Sequence, residues 1–252
     1  MFPYKDENPT VLTPYVTVGI IIFTAIVWVA AQGAGTYPAL GRSVCELGVI
    51  PGELLGRLPQ TVSVPIGPGL ECQVGASPAW HTMVTSMFLH GGWFHLIGNM
   101  WFLWVFGNNV EDSMGHPRFV AFYLLTGVLA ALAQVLASPN SPIPMVGASG
   151  AISGIMGGYL VLYPRVRIHM LIFFGFFVTT VAVPAYLMLL YWAFLQFVSG
   201  LFTMGMEERG GIAFMAHLGG FVAGAVLIKL FAKPELVARH GRGRWAPRQY
   251  QG

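Results

Sequence analysis

Ser149 stands in Gly147-Ala-Ser-Gly150, where a turn enters an apolar helix. Glycines on both sides let another backbone come close. The first N–H groups of a helix have no partner inside it, and with the helix dipole behind them they can receive an oxyanion. Such a setting suits a serine nucleophile, and equally a serine that merely begins a helix. His217 lies in Ala216-His217-Leu-Gly-Gly220-Phe-Val-Ala-Gly224. Beside a hydroxyl an imidazole is a general base, whereas a lone histidine in an apolar span is more often a satisfied structural donor. The glycines connect the two residues. Gly150, Gly154 and Gly158 follow Ser149, and Gly220 and Gly224 follow His217, at the four-residue spacing that lets two helices approach closely. Plain helix packing would explain these faces, and the same packing would carry His217 to Ser149.

A third group sits in His90-Gly-Gly-Trp-Phe-His95-Leu-Ile-Gly-Asn99. His95 and Asn99 are one turn apart on one helical face, and both can donate to a developing oxyanion. A zinc-binding helix would place two histidines four apart with a glutamate between them. His90 and His95 are five apart with no acid between, so no metal and no cofactor is expected. No carboxylate is placed to orient His217, which predicts a dyad rather than a triad. Ser153, a turn beyond Ser149, reads as packing.

The elements that must hold these groups follow from composition. Of 252 residues, 55% are hydrophobic and 9% charged, against about 25% charged in soluble domains. So few charges cannot cover a water-facing surface, and lipid is the expected solvent. The opening MFPYKDENPT lacks the basic and apolar regions of a cleaved signal peptide, so the first apolar run is expected to be retained. A helical span needs roughly 20 apolar residues. Six runs qualify: Thr13 to Gln32, Leu89 to Asn108, Phe119 to Ala137, Gly147 to Tyr163, Pro184 to Met204 and Gly211 to Phe231. The expected layout is a cytoplasmic N-terminus at 1–12, a membrane domain at 13–232 with a long first loop at 33–80, and a basic cytoplasmic tail at 233–252.

Val166 to Val183 is also apolar, but its Val, Ile, Phe and Thr content with Gly175 near the middle is hairpin chemistry as much as helix chemistry. Site geometry separates the two. Ser149 and His217 both lie near the N-terminal ends of their spans, each roughly 8 Å below the outer surface at 1.5 Å per residue. Their depths match only if the two helices run the same way, with one span between them. Val166 to Val183 is therefore expected to stay on the cytoplasmic side with its bend near Phe174-Gly175. Lys and Arg agree with this count of spans. Lys5, Arg118, Arg165, Arg167, Lys229, Lys233, Arg239, Arg242, Arg244 and Arg248 fall inside, against Arg42, Arg57 and Arg209 outside, 10 against 3 of the 13 in the chain. All ten acids lie outside the spans or at their ends, so no buried carboxylate is expected for a proton relay, which weighs against a transporter. No nucleic-acid partner is expected.

The segments HGGWFHLIGN, GASG and AHLGGFVAG, in this order on successive spans, resemble the rhomboid family of intramembrane serine proteases over about residues 80 to 232. The resemblance implies a six-helix fold, so the expected class is an all-α membrane protein, a six-helix transmembrane bundle, with room for the short β-hairpin read above between helices 4 and 5. It implies Ser149 as nucleophile, His217 as general base, and an oxyanion site from His95, Asn99 and the Ser149 N–H, with His90 accessory. It also implies transmembrane-protein substrates cut near a small residue; with the charge count above, the expected place is the cell membrane, the site opening to the non-cytoplasmic side. A catalytically silent rhomboid-like escort protein is the competing expectation, though such a chain is expected to lose Ser or His, and this one keeps both. Two places depart from the family pattern. Many members carry an aromatic residue four after the serine, where this chain has Ser153. Many carry Trp-Arg in the first loop, where this chain has Trp80-His81. Cys45 and Cys72 share that loop and are either bridged, in an oxidising compartment, or two unrelated thiols.

Overall fold

The computed structural model describes residues 2–240 except 59, 60, 68, 76, 77, 175, 176 and 204–212. Apolar runs become helices here because a backbone in lipid must satisfy its own polar groups. Strand β1 (Phe2–Asp6) precedes α1 (Tyr15–Ala30). The first loop holds α2 (Ala39–Leu47), α3 (Pro51–Leu54), β2 (Val62–Gly67), β3 (Leu70–Val74) and α4 (Thr82–Thr85). Then come α5 (Trp93–Met114), α6 (His116–Ala137), α7 (Ser149–Leu162), β4 (Arg167–Phe174), β5 (Phe177–Pro184), α8 (Ala185–Thr203), α9 (Phe214–Phe231) and α10 (Pro234–His240). Among the described residues, α6, α8 and α9 are long and apolar enough to cross a membrane, while α1 and α7 are shorter apolar helices.

Helix α7 is the hub, with every residue from Gly150 to Tyr159 buried. Its glycines allow this. A Cβ on Gly220 would stand 2.1 Å from the Gly150 carbonyl oxygen, and one on Gly224 only 1.8 Å from that of Gly154. Gly158 meets Ile228 a turn further on. Residue numbers rise together along both helices, so α7 and α9 run parallel with backbones in contact. On its other side α7 meets α6, where Gly150 faces Ala130 and Gly154 faces Thr126.

The fold is mostly helical rather than all-α. Strands β4 and β5 pair antiparallel from Arg167↔Pro184 to Phe174↔Phe177, and Gly175 of the expected bend lies outside the described residues. β1, unforeseen in the sequence, adds to β4 and makes a three-stranded sheet in the order β1-β4-β5. His169 and Glu7 meet at 2.9 Å across its edge. The first loop is folded too. β2 and β3 form a hairpin, and Cys45 of α2 is bridged to Cys72 of β3, with Cα atoms 5.5 Å apart. Closing about 28 residues contributes roughly 3–4 kcal/mol in the chain-entropy account.

The expectation of no buried carboxylate needs correction. Glu111 and Asp112, at the end of α5, are 0% and 2% exposed. Their task is to hold the start of α1. Glu111 accepts from the Val16 N–H (2.9 Å), the Thr17 N–H (2.8 Å) and the Thr17 hydroxyl (2.6 Å), and meets His116 Nδ1 at 2.6 Å. Asp112 accepts from the N–H groups of Val11 and Leu12. A carboxylate at a helix N-terminus answers both the orphan donors and the dipole. Glu111→Ala leaves those donors buried and unmet, and the expected loss is about 2–4 kcal/mol at ~1–3 per stranded group. Thermal unfolding in detergent checks this, and an unshifted Tm would mean that α1 docks without the cap.

Candidate active site

The segment entering α7 is fixed before it reaches the serine. Met145 and Val49 exchange both backbone hydrogen bonds, at 2.7 and 2.9 Å, and the Gly147 N–H donates to the Ser86 carbonyl at 2.9 Å. Gly147 has φ +134°, a conformation open to glycine and rarely to others. Its missing side chain is also needed for space, since a Cβ there would lie 2.8 Å from His95 Nε2 and 3.6 Å from Asn99 Nδ2. Ser149 is the first residue of α7. Ser153, one turn on, donates its hydroxyl to the Ser149 carbonyl at 2.6 Å and is 1% exposed.

His217 lies in the first turn of α9. Its Nε2 is 2.7 Å from Ser149 Oγ. The first turn of α9 is itself held from α6, because Gln134 Oε1 accepts from the N–H groups of Met215 (3.1 Å) and Ala216 (3.2 Å). Two further contacts on His217 come from α8 and were not foreseen. Gln196 Oε1 is 2.7 Å from His217 Nδ1, and the Trp192 ring lies 6.0 Å from the imidazole at 38°. The aromatic surface missing at Ser153 is thus supplied by another helix. The available signal was Gln196 itself, the lone amide in an otherwise apolar span, a position where polar side chains are rare and tend to be functional.

His95 and Asn99 share one face of α5, turned toward Gly147, two residues before the serine. The Gly91 N–H donates to His95 Nδ1 at 3.4 Å, which leaves the proton on Nε2, the atom facing the site. Asn99 Nδ2 is buried with no partner among the described residues. An unpaired buried donor costs free energy, and here it points to a site for a transient acceptor. His90 is fully buried behind His95, with ring centroids 5.0 Å apart and neither nitrogen paired among the described residues. The predicted site residues therefore converge. Ser149 and His217 are in contact, His95 and Asn99 lie against Gly147 two residues before the serine, His90 stands behind His95, and Gly150, Gly154, Gly220 and Gly224 line the α7–α9 contact.

A parallel helix pair in contact through glycines, bringing a serine hydroxyl to an imidazole beside the His95 and Asn99 side chains, is the arrangement of a helical membrane protein with a serine–histidine site. The rhomboid domain, as a family model, matches residues 77–234. The chain belongs to the rhomboid family, whose members are multi-pass membrane proteins. It is 33% identical over 162 residues to Rhomboid-like protein 11, chloroplastic, of Arabidopsis thaliana, covering 62% of this chain and 54% of that one. It is 39% identical over 85 residues to Rhomboid protease GluP of Bacillus subtilis, covering 34% of this chain and 16% of the relative. Rhomboid protein 1, mitochondrial, of Saccharomyces cerevisiae is 27% identical over 172 residues, 65% of this chain and 46% of its own length. The matched segments thus span about half or less of these relatives.

Proposed function

We propose that the chain is an intramembrane serine endopeptidase that cleaves transmembrane proteins through a Ser149–His217 dyad. The observation that carries this reading is the 2.7 Å contact of His217 Nε2 with Ser149 Oγ at the start of a buried helix. As Oγ attacks the substrate carbonyl, its proton passes to Nε2. The oxyanion is received by the Ser149 N–H, His95 Nε2–H and Asn99 Nδ2. His217 then returns the proton to the leaving amine, and water hydrolyses the ester by the same route. A small pocket beside Ser149 is lined by Met145, Gly147, Ala130, Ala131 and Ala216 among others. It favours a small substrate side chain next to the scissile bond.

Six spans with both termini cytoplasmic agree with the distribution of Lys and Arg and with the parallel course of α7 and α9. The 14 residues of α7 reach roughly 21 Å at 1.5 Å per residue, short of a ~30 Å hydrocarbon core. A helix anchored at the cytoplasmic face would leave Ser149 below the outer surface, in a depression that water enters from the non-cytoplasmic side. Residues 13–232 then form the protease domain of a cell-membrane protein, flanked by cytoplasmic segments 1–12 and 233–252. The test is incubation of the purified protein with a single-span substrate, against Ser149→Ala. Cleavage by the unaltered protein alone supports the reading. Equal outcomes from the two leave a silent, client-binding role.

Asn99→Ala is expected to lower kcat about 10²–10³-fold, the usual cost of one oxyanion donor, with KM little changed. A change confined to KM would make Asn99 a substrate-positioning group instead.

A further inference from the structure

Helix α8 has one apolar face turned outward and one turned to α9. Leu187, Leu190, Phe194 and Phe202 lie on its exposed outer surface. Leu189, Trp192, Gln196 and Gly200 recur at helical spacing along one stripe. Leu189 is fully buried, Gly200 would bring a Cβ within 2.8 Å of Met215, and Trp192 also faces Phe221 at 5.9 Å. Within this stripe Trp192 and Gln196, four apart, both grip His217, one by its ring and one by its amide.

An imidazole works as a base toward Ser149 only with its proton on Nδ1 and a lone pair on Nε2. The group facing Nδ1 must therefore accept. An amide oxygen does so at 2.7 Å; the amide turned the other way would donate to Nδ1, put the proton on Nε2 and leave Ser149 without a base. A carboxylate would accept equally well, but burying a charge in an apolar helix bundle is costly.

We propose that Gln196 is a positioning residue that selects the tautomer and orientation of His217, so that the reactivity of Ser149 depends on the seating of α8. This rests on the protease reading above. A displacement of α8 by about 1 Å lengthens the contact past the 3.5 Å limit of a useful hydrogen bond, and the base loses its orientation while serine and histidine stay in place.

Purified full-length variants separate this role from packing. Gln196→Met fills the same volume, suits lipid and cannot accept in this way. Gln196→Glu retains an accepting oxygen at the same reach but suits an apolar site poorly. The readouts are kcat and KM on a single-span substrate, the rate of covalent labelling of Ser149 by a fluorophosphonate, and the thermal midpoint. A wrong tautomer beside a charged partner costs ~10⁴-fold, and a neutral partner is expected to matter less. Gln196→Met should slow both kcat and labelling about 10²-fold with KM within a few-fold and an unchanged midpoint, while Gln196→Glu stays within about tenfold of wild type. Gln196→Asn, one methylene short, should repeat the loss and stands in if the Met variant does not fold. Wild-type labelling by Gln196→Met, a loss confined to KM, or equal losses in Met and Glu variants each overturn the role. A wild-type protein that labels no more than Ser149→Ala overturns the protease reading and this role with it.

Discussion

Ser149→Ala, His217→Ala and the double variant are expected to lose the same activity, each falling by at least about 10⁴-fold while remaining folded. The hydroxyl and the imidazole act through one 2.7 Å contact: without Nε2 the hydroxyl keeps its proton, and without Oγ the base has nothing to activate. Removing either therefore removes the whole function of the pair, and the second loss adds little, as with other serine nucleophiles and their bases. What remains should come from the oxyanion donors and from binding. Cleavage rates of the three purified variants, with their thermal midpoints, decide it. A double variant whose loss is the product of the single losses would show the two residues acting separately and would sink the dyad.

Gly224→Ala, seven residues beyond His217 along α9 and adding one methyl, is also expected to slow cleavage heavily, though less than loss of the dyad. The new Cβ would stand 1.8 Å from the Gly154 carbonyl oxygen, 2.5 Å from its carbon and 2.6 Å from its Cα. All three are backbone atoms of a buried helix, so no side chain can turn aside. Ordinary contact begins at 3.4 Å, so the 1.8 Å approach must open by about 1.6 Å, and small misplacements of this kind cost about 10²-fold in rate. Overpacking adds about 1–3 kcal/mol of instability. The matched control is Gly98→Ala on α5, where a Cβ meets nothing within 4 Å. If Gly224→Ala cleaves as fast as Gly98→Ala, the α7–α9 contact does not set the Ser149–His217 distance.

Apolar run length and punctuation located the six long helices within a few residues, apart from α5, which runs on past Asn108 to Met114, because a backbone in lipid has few alternatives. Pro164 and Pro139 to Pro144 ended runs where helices end. The glycine faces were legible for the same reason: only close packing needs small residues every four. Gln196 and Trp192 were not assigned, since a glutamine in an apolar run carries no local pattern naming its partner 21 residues away. β1 was missed because Phe2–Asp6 is five residues long and its partner strand begins at Arg167. Glu111 and Asp112 fall beyond the expected span end at Asn108, whereas α5 runs through them to Met114, and their burial depends on which other terminus docks there, which no local sequence states.

The partnership of β1 with β4 also orders the birth of the molecule. Phe2 and Asp6 leave the ribosome well before their partners Leu171 and Ile168, which are made some 160 residues later. At synthesis rates of about 5–20 residues per second, the opening strand waits on the order of ten seconds or more for the strand it pairs with. The acids that receive the start of α1 arrive about midway. Strand β1 is thus seated late relative to its synthesis, and the sheet closes only after the serine's helix has been completed.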